Sequence, residues 1–235
     1  MTDTDILKSV YKGDELEDAL KKYGSGIPAA YIIGEWEFFG IPFKVNENCL
    51  IPRCDTERVV EKAISLCKEN AKIADLCTGS GCIAISILKN RPDVFATAVD
   101  ISEKALDLAK ENAERNGVSD RIEFLHCDVL SDVPKDRFFD LIVSNPPYIS
   151  KKDMEVLDEY VKKEPALALF GGDDGMDFYK AIIEKYAPAL LPDGKFVFEI
   201  GYDQGEKIRI LAKKNDFSCK VLKDYSGNDR VAVIQ

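Results

Sequence analysis

The chain has 235 residues, 46% hydrophobic and 31% charged, with a net charge of −10. That length allows one large α/β domain or one domain with a small appendage, in a globular composition. No apolar run nears the ~20 residues of a membrane span, the acidic start Met1-Thr2-Asp3-Thr4-Asp5 lacks signal-peptide regions, and net acidity disfavours free nucleic acid as a substrate.

A cytoplasmic protein with a protein partner is therefore expected. The seven cysteines are scattered and odd in number, which argues against a disulfide framework. A single histidine, His126, argues against zinc. It reads as a satisfied core or edge residue.

Residues 1–27 read as a short helical segment. Leu7, Val10 and Tyr11 are spaced i, i+3, i+4, as are Leu16, Ala19 and Leu20. Tyr23 to Pro28 reads as a linker. Residues 28–57 hold a β-hairpin, Trp36 to Val45, turning around Gly40-Ile41-Pro42, and a linker on the substrate side. Asp55 or Thr56 is placed to N-cap a helix reaching about Lys68.

Residues 58–235 form the main domain. Strand-like runs are Lys72–Leu76, Val94–Val99, Ile122–Cys127, Phe139–Val143 and Lys195–Ile200. Helix-like runs between them are Cys82–Lys89, Ser102–Asn116, Met176–Leu190 and Gln204–Lys214. This rhythm predicts a parallel sheet covered on both faces. Phe217–Leu222 and Asp229–Ile234 lie too close together for anything but an antiparallel hairpin. Five parallel strands plus that hairpin make a seven-stranded Rossmann-like sheet.

The first sheet strand ends in Asp75-Leu76-Cys77-Thr78-Gly79-Ser80-Gly81. Glycines here let a ligand approach the backbone where strand turns into helix. Asp100 ends the second strand, where a carboxylate accepts ribose hydroxyl hydrogen bonds. Cys127-Asp128 ends the third, beside the place for an adenine. A dinucleotide needs a third glycine, but Ile83-Ala84 stand there. That gap and the terminal hairpin favour S-adenosylmethionine, with Asp75 free to engage its amino group directly or through water.

Asn145-Pro146-Pro147-Tyr148 follows the fourth strand. Prolines fix φ and force the preceding residue out of the helical region. The Asn145 side-chain oxygen and the Pro146 carbonyl are placed to accept two N–H bonds from a planar NH2 group, and Tyr148 to stack on it. An amide or exocyclic amino nitrogen is a poor nucleophile, so orientation toward an electrophilic methyl carries the reaction. Glutamine, adenine, guanine and cytosine all fit this logic.

Further motifs narrow the choice. Asn145–Tyr148, Tyr31–Gly34, Phe39–Val45, Leu50–Glu57, Glu164–Leu169, Gly171–Asp177, Glu199–Gly201 and Gly227–Arg230 together resemble the HemK/PrmC family of release-factor glutamine methyltransferases. The resemblance covers roughly residues 28–235. It implies a class I S-adenosylmethionine-dependent fold and methylation of the glutamine side-chain amide in the Gly-Gly-Gln loop of a release factor. It implies that Thr78, Gly79, Gly81 and Asp100 hold the cofactor, within a set that also takes in Asp75, Cys77, Ser80, Asp128, Val129 and Asn145. It implies that Asn145, Pro146, Pro147 and Tyr148 hold the glutamine. Phe39 and Phe43 are expected to roof the substrate. Arg53 either supports the site wall or forms a surface ion pair with Asp55 or Glu57.

The chain departs from the family pattern at Cys77, where a glycine is usual, and at Cys54, where a proline is usual. It also has only a short stretch before the hairpin, where the family carries several helices; docking would then be reduced, rearranged or supplied by another protein. Two readings remain beside the leading one: an amino-methyltransferase acting on adenine or guanine in RNA or DNA, and a non-catalytic module that binds the cofactor or a release factor.

Overall fold

The computed structural model describes every residue except Met1 and Asp136. Helices α1 (Asp3–Val10), α2 (Gly13–Gly24) and α3 (Ala29–Ile33) open the chain. Thr2 and Asp5 form a reciprocal capping box that starts α1. Leu7, Ala19 and Ala29 are buried together between the three helices. The helical cluster therefore runs past the expected boundary at 27, because α3 completes its small core.

Strands β1 (Glu35–Phe38) and β2 (Ile41–Lys44) form the hairpin. Its turn is Phe39-Gly40, earlier than expected, and Pro42 pairs with Glu37 inside the ladder. Both turn residues have positive φ, 54° and 69°. A two-residue turn of that kind matches the natural twist of the strands. Proline is tolerated in this two-stranded sheet because each strand is an edge.

After a 3-10 turn at Cys54–Thr56 comes α4 (Glu57–Leu66). Then follow β3 (Lys72–Leu76), α5 (Cys82–Asn90), β4 (Phe95–Asp100), α6 (Glu103–Arg115), β5 (Ile122–His126) and β6 (Phe139–Ser144). The chain ends with α7 (Lys151–Met154), α8 (Asp177–Tyr186), β7 (Leu190–Glu199), α9 (Gly205–Lys214), β8 (Cys219–Lys223) and β9 (Asp229–Ile234).

The large sheet has seven strands in the order β5-β4-β3-β6-β7-β9-β8. The first five are parallel, and β9 lies antiparallel between β7 and β8. Side chains alternate across it, as strand geometry requires. Ile73, Leu141, Val143 and Val197 face one core with α4 and α5, while Ala74, Ile142, Phe196 and Phe198 face a second core with α8 and α9. His126 sits on edge strand β5, exposed, with Nε2 2.8 Å from the Ile101 carbonyl.

The strand order reverses between β3 and β6. In open α/β sheets the crevice beyond the carboxyl ends at that point is where ligands bind. The Ser144 hydroxyl donates to the Leu76 carbonyl at 2.6 Å and ties the two strand ends together. The turn after β3 and Asn145 after β6 are thereby brought side by side.

Candidate active site

A cleft opens at this point. Its wall includes Cys77, Thr78, Gly79, Ser80, Asp100, Asp128, Val129, Asn145 and Pro147. Arg53 and Thr56 close it on one side, and Pro165, Leu167 and Phe178 add apolar surface. Most of the residues expected from the sequence converge here from the ends of different strands.

The donor set suits an adenosine-like ligand. Asp100 accepts the Gly79 N–H on Oδ2 and the Ser102 N–H on Oδ1, both at 2.9 Å. Those bonds fix its carboxylate at the cleft wall. Burial pushes its pKa up, against these backbone hydrogen bonds. A Cβ on Gly79 would meet no atom within 4 Å, so the backbone there is open to a ligand. Asp128 is turned by the Leu130 N–H at 2.9 Å, beside the buried Val129.

Asp75 is fully buried beneath the turn rather than on the cleft wall. Its Oδ2 accepts the Thr78 hydroxyl at 2.7 Å and the Ala84 N–H at 3.1 Å. Among the described residues Oδ1 has no partner. Burial raises its pKa to about 7. Direct engagement of a ligand by this carboxyl is not what its position favours; it braces the turn.

Gly81 is also off the cleft. A Cβ there would lie 2.8 Å from Ile85 Cδ1 and 3.2 Å from Ala109 Cβ. This glycine lets α5 pack closely on α6. Cys77, which replaces the usual glycine, holds a left-handed backbone at φ 58°. Burial raises its thiol pKa well above the ordinary value, so it behaves as an inert small side chain.

Phe39 and Phe43 do not reach the cleft. Phe43 is fully buried against Phe38 in the core, and Phe39 packs on the same cluster. The reason is how the hairpin is fastened. Buried Asn112 of α6 accepts the Lys44 N–H at 2.7 Å and donates to the Lys44 carbonyl at 3.0 Å and the Ser80 carbonyl at 2.9 Å. Glu57 accepts the Phe39 N–H at 2.9 Å. Asn112 thereby ties β2 to the turn after β3.

Arg53 pairs with neither Asp55 nor Glu57. It forms an ion pair with Glu164, whose other oxygen accepts the Ile51 N–H at 3.0 Å. Asp55 pairs instead with Arg230 at 3.3 Å, and Arg230 also holds Asp224 at 3.3 Å. Neither Asp55 nor Thr56 caps α4 with its side chain. The four side chains at 53, 55, 56 and 57 fasten four different segments, at Glu164, Arg230, Glu199 and Phe39. Glu164, Glu199 and Arg230 lie in motifs visible in the sequence, but their partners are set only by the fold.

The Asn145 loop is clamped from behind. Ile149 N–H donates to Leu169 O and Gly171 N–H to Ile149 O, each at 2.9 Å. A Cβ on Gly171 would lie 2.6 Å from the Pro147 carbonyl. Gln204 donates from Nε2 to the Tyr148 carbonyl at 3.0 Å. Asn145 and Pro147 line the cleft. The Tyr148 hydroxyl turns inward and donates to Glu199 Oε1 at 3.2 Å. Burial raises its pKa, which keeps that proton in place.

Comparison with known proteins agrees with this architecture. Residues 59–173 match the family model described as methyltransferase small domain. A release factor glutamine methyltransferase of Aquifex aeolicus is 40% identical over 92% of this chain and 77% of its own length. One from Fusobacterium nucleatum is 43% identical over 88% of this chain and 59% of its own. A solved ribosomal protein L11 methylase from Lactobacillus delbrueckii subsp. bulgaricus is 26% identical, with a TM-score of 0.58, over 78% of this chain and 79% of that one. Identity at this level across most of both chains carries descent as well as fold, and the chain belongs to the release factor glutamine methyltransferase family.

Proposed function

We propose that the protein methylates the side-chain amide nitrogen of the glutamine in the Gly-Gly-Gln loop of a translation release factor, with S-adenosylmethionine as donor. The observation that carries this reading is the place of Asn145, on the cleft wall beside the turn that begins at Cys77. When bound, S-adenosylmethionine supplies an electrophilic methyl group on a sulfonium. Asp100, Gly79, Asp128 and Val129 would hold its adenosine, with Thr78, Cys77 and Ser80 along the remaining wall.

The glutamine amide is held by acceptors. Asn145 Oδ1 takes one N–H and the Pro146 carbonyl the other. This fixes the nitrogen and turns its lone pair toward the methyl group. Transfer would form the N–C bond as the sulfonium S–C bond breaks, its electron pair leaving on sulfur as S-adenosylhomocysteine; the nitrogen would then lose a proton to solvent, so no strong base is required. Pro147 and Gly171 keep the loop rigid, and Arg53 with Glu164 holds the opposite lip. No helix of the described residues is long and apolar enough to cross a membrane, and a cytoplasmic site of action fits a ribosomal factor as substrate.

The test is incubation of the chain with a bacterial release factor and labelled donor, followed by peptide mass analysis. One methyl group on the Gly-Gly-Gln glutamine is expected, and its loss in Asn145→Ala. Label in RNA with none in protein would favour the nucleic-acid alternative and overturn the reading.

A further inference from the structure

A buried polar chain runs away from the cleft behind Asn145. Asn145 Nδ2 donates to Thr56 Oγ1 at 3.3 Å. The Thr56 hydroxyl donates to Glu199 Oε2 at 2.5 Å, and the Tyr148 hydroxyl meets the other carboxylate oxygen at 3.2 Å. Thr56 is 2% exposed and Glu199 1%. Arg230 lies alongside, donating to the Ile200 carbonyl at 3.4 Å while it pairs with Asp55 and Asp224.

The direction of this chain follows from proton count. A threonine hydroxyl has one hydrogen, and Glu199, although burial raises its pKa, accepts on both oxygens, from Thr56 and from Tyr148. With that hydrogen committed to Glu199, Thr56 Oγ1 can only accept. It therefore draws the NH2 end of the Asn145 amide inward and leaves Oδ1 toward the cleft. A flipped amide would set two acceptor oxygens against each other in a part-buried site. We propose that Thr56 and Glu199 are positioning residues that lock Asn145 oxygen-outward, so that the site selects a ligand offering N–H donors. This deepens the proposed function and rests on Asn145 being the acceptor for the substrate amide.

The experiment uses the full chain, a bacterial release factor and S-adenosylmethionine, with Asn145→Ala, Thr56→Val and Thr56→Ser. Valine keeps the shape of threonine and can neither donate nor accept; serine restores the hydroxyl. Thr56→Val is expected to lower kcat by about 10- to 100-fold, the loss of one buried hydrogen-bond relay. The calorimetric Kd for S-adenosylmethionine should stay within about 2-fold, and Thr56→Ser should recover kcat to within about 3-fold of the parent. Should Thr56→Val fail to bind the cofactor, Thr56→Ala is read by the same criteria. Unchanged kcat in Thr56→Val, or equal loss in Thr56→Ser, overturns the relay while a dead Asn145→Ala leaves the function standing. An active Asn145→Ala overturns both.

Discussion

Arg53 and Glu164, 111 residues apart in sequence, form an ion pair at the lip of the cleft. The two ends are unequal: Glu164 is 2% exposed in its side chain and Arg53 38%. Removing the arginine strands a buried carboxylate, which costs about 3 kcal/mol. Removing the glutamate releases Arg53 to water and orphans only the Ile51 N–H, at about 1–2 kcal/mol. Urea denaturation should therefore rank Arg53→Ala as less stable than Glu164→Ala.

Asp75 gives the fold a pH dependence. Its pKa rises from the ordinary 3.8 to about 7 through burial. Between about pH 4 and pH 7 the folded chain keeps a proton that the unfolded chain releases. The associated stability is complete below that window and is lost as pH rises through about 7. At about 1.4 kcal/mol per pH unit the effect is on the order of 4 kcal/mol. Asp75→Asn keeps an acceptor for Thr78 and Ala84 but cannot ionise. Thermal melts without cofactor from pH 5 to 8 should show the parent falling relative to this variant.

Two glycines of the ligand turn should fail in different ways. Both have positive φ, 55° at Gly79 and 81° at Gly81. Alanine at either adds backbone strain of about 1–2 kcal/mol. At Gly81 the new methyl also crowds Ala109, so stability takes the larger loss. At Gly79 the methyl enters open cleft space, so cofactor affinity takes it. Calorimetry with S-adenosylmethionine and thermal melts on both variants separate the two effects.

Gly171→Ala should abolish most activity although Gly171 itself does not line the cleft. Its Cβ would stand 2.6 Å from the Pro147 carbonyl and 2.7 Å from Tyr148 Cα, both backbone atoms. The loop carrying Asn145 must shift to make room. A displacement near 1 Å of a positioning group costs about 100-fold. Steady-state assays should show that fall in kcat with cofactor Kd nearly unchanged.

The strand and helix runs from Lys72 onward were legible because a period of 2 or 3.6 is written locally in the chain. The terminal hairpin was legible from connection length alone. The ends of strands were visible too, which is why Asp100, Asp128 and Asn145 could be named before any contact was known. Local signals misled where a residue serves a distant partner. Phe43 looked like a substrate aromatic and is core. Gly81 looked like a ligand glycine and serves the α5–α6 contact. Thr56 looked like a helix cap, but its hydroxyl is taken by Glu199.

The sequence by itself determined the order of elements, the sheet and the chemistry available at its strand ends. These depend on side-chain period, proline and glycine constraints, and residue type, which are properties of short segments. The tertiary structure alone decided which polar groups meet. Arg53 finds Glu164, Asp55 finds Arg230, and Thr56 finds Glu199 because the β3–β6 reversal folds remote segments around one crevice. Hydrogen bonds and ion pairs act over a few ångströms, so their partners follow from the fold and not from distance along the chain.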